Sequence, residues 1–179
     1  MRYGGGEPVV EDASLEVLEG ELVSLLGPSG SGKSTILRAI SGLHAPAGGR
    51  IECAVGPREI GFLFQDDALL PWRTARHNVA LGLWLHGKSK KEGLEEAEHW
   101  LERLGLAGFG GRYPRQLSGG QRKRVAIAQV LALKPKLLLM DEPFGALDAL
   151  TREQLQDELL EIWARTRVTV LFVTHSVEE

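Results

Sequence analysis

The sequence predicts an α/β fold, a mainly parallel sheet covered by helices on both faces. Three observations predict it. The run "ELVSLLG" is short, apolar and ends in glycine, and "TILRAISGL" soon after it places Ile36, Leu37, Ile40 and Leu43 at helical spacing. "KLLLMDEP" and "VTVLFVTH" are continuous apolar runs, as expected of strands buried on both faces. The stretch between them carries Leu155, Leu159 and Ile162 on one helical stripe. Strands that alternate with helices pair in parallel.

Each element can be justified in order. "ELVSLLG" is a strand, the glycines after it a loop, and "TILRAISGL" a helix. Arg50 to Gln65 hold "RIECAV", the turn "GPRE" and the alternating "IGFLFQ", which read as two strands with Gln65 closing the second. From Pro71 to Lys134 the character is helical, and "KEGLEEAEHWLERLGL" sets Leu94, Ala97, Leu101 and Leu104 on one stripe. "KLLLMDEP", a helix and "VTVLFVTH" complete the sheet. The 179 residues are therefore read as one domain, with 1–70 and 135–179 as the sheet-centred core and 71–134 as a helical subdomain. The chain stops at "HSVEE", where Ser176 and Glu179 have capping-box spacing for a helix that does not follow, so the C-terminal part is expected to be missing.

Hydrophobic content of 43% with 25% charged residues describes a globular chain, and no apolar run approaches a bilayer span. A net charge of −3 gives no electrostatic footprint for nucleic acid, so none is expected as a partner. The single cysteine, Cys53, forms no internal disulfide, and "MRYGGGEPVV" lacks the apolar core of a signal peptide, which together point to the cytosol.

"GPSGSGKS" fits the GxxxxGK[ST] pattern of a phosphate-binding loop and lies between a strand and a helix, as that motif requires. Gly27, Gly30 and Gly32 let successive backbone N–H groups of this loop, which also holds Pro28, Ser29 and Ser31, curl into an anion nest at a helix N-terminus. Lys33 reaches the terminal phosphates, and the Ser34 hydroxyl is suited to Mg²⁺. In "LLLMDEP", Asp141 and Glu142 stand side by side at a strand end. Asp141 is suited to holding Mg²⁺ and Glu142 to deprotonating the water that attacks a γ-phosphate.

A second anion site is expected in "RQLSGGQRKRVAIA". Gly119 and Gly120 open a helix whose unpaired N–H groups project outward, with Ser118 placed to cap or to donate. Arg122, Lys123 and Arg124 crowd the first turn, where the helix dipole disfavours cations unless an anion is near. The alternative is a capped helix whose basic residues face solvent.

"LSGGQ", Leu117 to Gln121, lying downstream of "GPSGSGKS" and before Asp141, resembles the signature motif of ABC-type ATPases, and the similarity covers essentially the whole chain. The resemblance implies a P-loop NTPase fold with a mainly parallel core sheet, an N-terminal antiparallel β subdomain and a helical subdomain. It implies ATP hydrolysis with Mg²⁺ in a head-to-tail dimer, where the signature loop of one copy meets the ATP on the phosphate loop and Thr35 of the other. By the same resemblance Gln65 senses Mg²⁺ and the attacking water, Asp148 in "FGALDA" crosses the dimer seam, His175 contacts the γ-phosphate, and Tyr3 stacks on adenine.

"FQDDALLPWRTARHNVALGL" and "DEPFGALDALTREQLQDEL" resemble the ATP-binding subunits of nitrate, sulfonate and taurine-type importers. This implies a peripheral place on the cytoplasmic face of the membrane beneath a membrane-spanning permease subunit, with an extracytoplasmic solute-binding protein as an indirect partner. "LLPW" with Trp72 then lines a groove for a short permease helix; the alternative is that Trp72 is ordinary core. Gln129 departs from the arginine that relatives often carry there. Two rivals stay open: an ATPase of the same superfamily in DNA repair or translation, and a non-hydrolysing module regulated by nucleotide.

Overall fold

The computed structural model describes residues 9–145 and 147–176. Tyr3, and the Glu179 half of the expected capping box, lie outside the described residues. The elements in order are β1 (Leu22–Leu26), α1 (Lys33–Ile40), β2 (Ile60–Leu63), α2 (Ala75–Leu85), α3 (Lys90–Arg103), α4 (Gly119–Leu131), β3 (Leu137–Asp141), α5 (Ala149–Thr166) and β4 (Thr169–Thr174).

The chain divides into two compact units. One comprises the residues up to Gln65, Lys136–Pro143 and those from Arg167 onward. It holds a four-stranded, wholly parallel sheet in the order β1-β4-β3-β2. β3 is buried throughout and β4 almost so, which is why their sequences are continuous apolar runs. The outer strands β1 and β2 alternate in exposure. Leu37 of α1 packs with Leu137, Leu139, Leu171 and Val173 to form the core of this unit.

Register places the site. Leu26 pairs with Thr174, Asp141 with Val173 and Leu63 with Met140, so all four strands finish at one edge. The residues that follow those ends, from Gly27, Gln65, Glu142 and His175 onward, are delivered to the carboxyl edge, where parallel sheets hold their ligands.

Two expectations are corrected. "RIECAV" is irregular, and the expected antiparallel β subdomain does not form among the described residues. Ile51 in that run is 42% exposed, and no neighbouring strand among the described residues completes its hydrogen bonds. The helix α1 ends at Ile40, where Ser41 and a left-handed Gly42 stop it, and Leu43 is left 55% exposed instead of joining the buried stripe.

The second unit comprises Asp66–Pro135 and Phe144–Thr166. α3 opens with a reciprocal capping box, in which Ser89 Oγ accepts from the Glu92 N–H at 3.2 Å and the Glu92 carboxylate accepts from the Ser89 N–H at 3.0 Å. It lies against α2 through Gly93, where a Cβ would fall 2.4 Å from Trp84 Nε1. α5, which the sequence reading grouped with the core, belongs to this unit by its contacts, and an ion pair between Arg124 and Glu158 fastens it to α4.

Candidate functional site

The loop after β1 is shaped by two left-handed glycines, Gly30 at φ 81° and Gly32 at φ 90°. A Cβ on Gly32 would also fall 2.4 Å from Val10 Cγ2, so no larger residue fits. Gly32 caps α1 without any side-chain hydrogen bond, and the first N–H groups of that helix are therefore uncapped by side chains. Lys33 is nearly buried, and its ammonium donates to the carbonyls of Gly27 at 2.7 Å and Pro28 at 2.8 Å, which closes the loop into a ring around a positive charge. This cradle suits a polyphosphate.

Beside the cradle, Ser34 Oγ donates to Asp141 Oδ1 at 2.6 Å. Asp141 is 1% exposed; its Oδ2 accepts no hydrogen bond and has Arg38 at 3.8 Å. A buried carboxylate oxygen left in this way, next to a serine hydroxyl, is an oxygen donor set that fits Mg²⁺.

Glu142 follows Asp141 but does not continue the strand. Its N–H donates to the Val173 carbonyl at 3.0 Å, and its backbone then turns left-handed, at φ 46°. That conformation costs a non-glycine residue about 1–2 kcal/mol and turns the chain out of the strand. One Glu142 oxygen accepts from Gln65 Nε2 at 2.9 Å, and the other lies 3.5 Å from His175 Nδ1. Three residues expected to act together, far apart in sequence, thus meet on one carboxylate.

In the helical unit the "LSGGQ" stretch is a helix N-terminus. Ser118 Oγ accepts from the Gln121 N–H at 3.2 Å while Gln121 Oε1 accepts from the Ser118 N–H at 3.0 Å, so the serine caps. The two glycines differ. Gly119 is exposed, and a Cβ there would meet nothing closer than Arg122 Nη2 at 3.8 Å, whereas one on Gly120 would fall 2.6 Å from Thr151 Cγ2 of α5. Gly120 is thus required for packing, and the exposed backbone is at Gly119. Asp148 accepts from the Thr151 N–H at 3.0 Å in the manner of an N-cap, and this bond holds its carboxyl below the usual aspartate range.

The cations of the first turn are a correction. They were expected to signal a nearby phosphate, but Arg122 and Lys123 pair with Asp67, and Arg124 pairs with Glu158. Sequence reasoning missed both carboxylates, although three consecutive cations at a helix start were a signal that acids must be supplied from elsewhere. It also missed Asn78, fully buried on α2, whose carboxamide binds the backbone of Leu70, Arg73 and Thr74. Trp72 is 71% exposed and is not core. No helix among the described residues is long and apolar enough to cross a membrane.

The parallel sheet, the glycine cradle between β1 and α1 and the acidic end of β3 define a phosphate-loop NTPase. Residues 10–145 match the ABC transporter family. The taurine import ATP-binding protein TauB of Escherichia coli O157:H7 is 51% identical over 180 residues, covering 98% of this chain and 71% of that protein. The protein of the same name from Yersinia pestis bv. Antiqua (strain Antiqua) is 50% identical, over 97% of this chain and 70% of its own length. Among solved structures, a dimeric post-hydrolysis state of the ATP-binding cassette MJ0796 bound to ADP and Pi is 36% identical with a TM-score of 0.87, covering 98% of this chain and 85% of that one. CbiO1 from Clostridium perfringens, part of the transporter complex cbiONQ, is 28% identical with a TM-score of 0.86, covering 98% and 75%. The chain belongs to the ABC transporter family, and it is an ATPase of that family.

Proposed function

We propose that this chain is the ATP-hydrolysing subunit of a membrane importer for taurine or a related small sulfonate or anion, acting as a head-to-tail pair with a second copy of itself. The observation that carries the reading is the meeting of Gln65 and His175 on the Glu142 carboxylate, in the unit that also holds the phosphate loop. The names of the taurine-import relatives support the cargo class, and the dimeric cassette bound to ADP and Pi supports the pairing.

In this reading the nest of residues 27–35 and the Lys33 ammonium bind the phosphates of ATP. Ser34 and Asp141, with Gln65, would hold Mg²⁺, which neutralises charge on the phosphates. Glu142 accepts a proton from water as the water oxygen bonds to the γ-phosphorus and the bond from that phosphorus to the bridging oxygen breaks, releasing ADP. Gln65 and His175 hold the carboxylate in the orientation that this transfer needs. Leu117, Ser118, Gly119, Gly120 and Gln121 grip the nucleotide of the second copy, Asp148 stands at the seam, and Tyr3 stacks on adenine. The exposed Trp72 faces a permease subunit at the cytoplasmic side of the membrane, and the solute-binding protein is reached only through that subunit.

Glu142→Gln in the full-length protein tests the assignment. Steady-state ATPase activity is expected to fall about 10²–10⁴-fold, the usual contribution of a general base, while the Kd for ATP is kept. An unchanged rate overturns the role.

A further inference from the structure

Asp67 ties the start of the helical unit to the tip of α4. Its Oδ1 lies 3.2 Å from the Lys123 ammonium and its Oδ2 3.3 Å from Arg122 Nε, while Arg122 Nη1 donates to the Leu117 carbonyl at 2.9 Å. Lys123 is 3% exposed, so solvent screens this pairing little. Three residues further on, the chain is clasped again, because Asn78 Oδ1 accepts from the Leu70 N–H at 2.7 Å and Asn78 Nδ2 donates to the Leu70 carbonyl at 3.2 Å. Between the two anchors Ala68 is left-handed at φ 52°, a conformation that a residue other than glycine keeps only where its surroundings impose it.

We infer that Asp67 is a positioning residue for the nucleotide-gripping tip of α4, an inference that rests on the proposed role of the signature loop. Its carboxylate neutralises two cations that the helix dipole would otherwise repel, which leaves the partial positive charge of that tip for a ligand. It also fixes the first turn of α4 to the stretch of chain that Asn78 clasps three residues further on.

The test uses the full-length chain in the Glu142→Gln background with Mg²⁺ and ATP, and follows dimer formation by sedimentation and single-chain affinity with a fluorescent ATP analogue. Asp67→Asn is expected to raise the ATP concentration for half-dimerisation about tenfold, within the usual range of coupling between sites, and Arg122→Gln by a smaller factor, about threefold, because Lys123 keeps its pairing with Asp67. Single-chain affinity is expected to stay within about twofold, because the phosphate loop is untouched, and Asp67→Glu to recover dimerisation. Ser118→Arg is the control for the underlying reading. If it blocks dimerisation while Asp67→Asn does not, the positioning role falls and the reading stands; if neither matters, the reading itself falls. If Asp67→Asn loses its cooperative melt and Arg122→Gln dimerises like the parent, Asp67 serves folding alone and the inference is overturned.

Discussion

Replacing Gly120 with alanine adds a methyl group where α5 leaves no room for one. The new Cβ would fall 2.6 Å from Thr151 Cγ2, against about 3.5–4.0 Å for a comfortable carbon contact. Relieving such overpacking costs about 1–3 kcal/mol, while alanine returns up to about 1 kcal/mol of helix propensity. The expected net loss is about 1–2 kcal/mol, or roughly 3–6 °C in Tm for a chain of this size. Gly119→Ala is the internal reference, since its Cβ meets nothing closer than 3.8 Å and keeps the propensity gain without the clash. Thr151→Ser removes the offending methyl, and in the double variant it should restore most of the loss, giving a coupling energy of about 1 kcal/mol or more. Urea unfolding followed by circular dichroism measures all four proteins. If Gly120→Ala proves as stable as Gly119→Ala, or Thr151→Ser restores nothing, the assignment of Gly120 to helix packing is wrong.

Asn78→Ala removes four hydrogen bonds from a fully buried carboxamide and should cost about 2–4 kcal/mol in urea, with protease cleavage appearing first between Asp67 and Thr74. The Asp148 carboxyl titrates below its ordinary value of 3.8 because the Thr151 N–H donates to it. Its contribution is thus complete above that value and lost as the pH falls through the lowered one. The helical signal of Asp148→Asn should lack that component in an acid titration below about pH 4, since the amide oxygen caps in either condition.

The parts of the fold written in local sequence were legible. β1, β3 and β4 are apolar runs, and the phosphate loop is a contiguous motif whose neighbours must be a strand and a helix. The meeting of Gln65, Glu142 and His175 was foreseen only through family resemblance, because it depends on the register of strands far apart in the chain. The cations of α4 signalled that acids were needed, but not that Asp67, 55 residues from Arg122, supplies one for Arg122 and Lys123. "RIECAV" has the alternation of a strand, but alternation supplies no partner for its backbone. Trp72 shows the opposite limit, since a large apolar residue near a turn can face outward as readily as inward.

The strand order also governs how the chain must be made. Of the four described strands β4 is synthesised after the other three, yet it lies between β1 and β3, with Leu22 beside Val170. On a ribosome adding about 5–20 residues per second, β1 waits roughly 7–30 s for that neighbour. Through that interval β1 is without the neighbour that joins it to β3, which makes the nascent chain a natural client for chaperones.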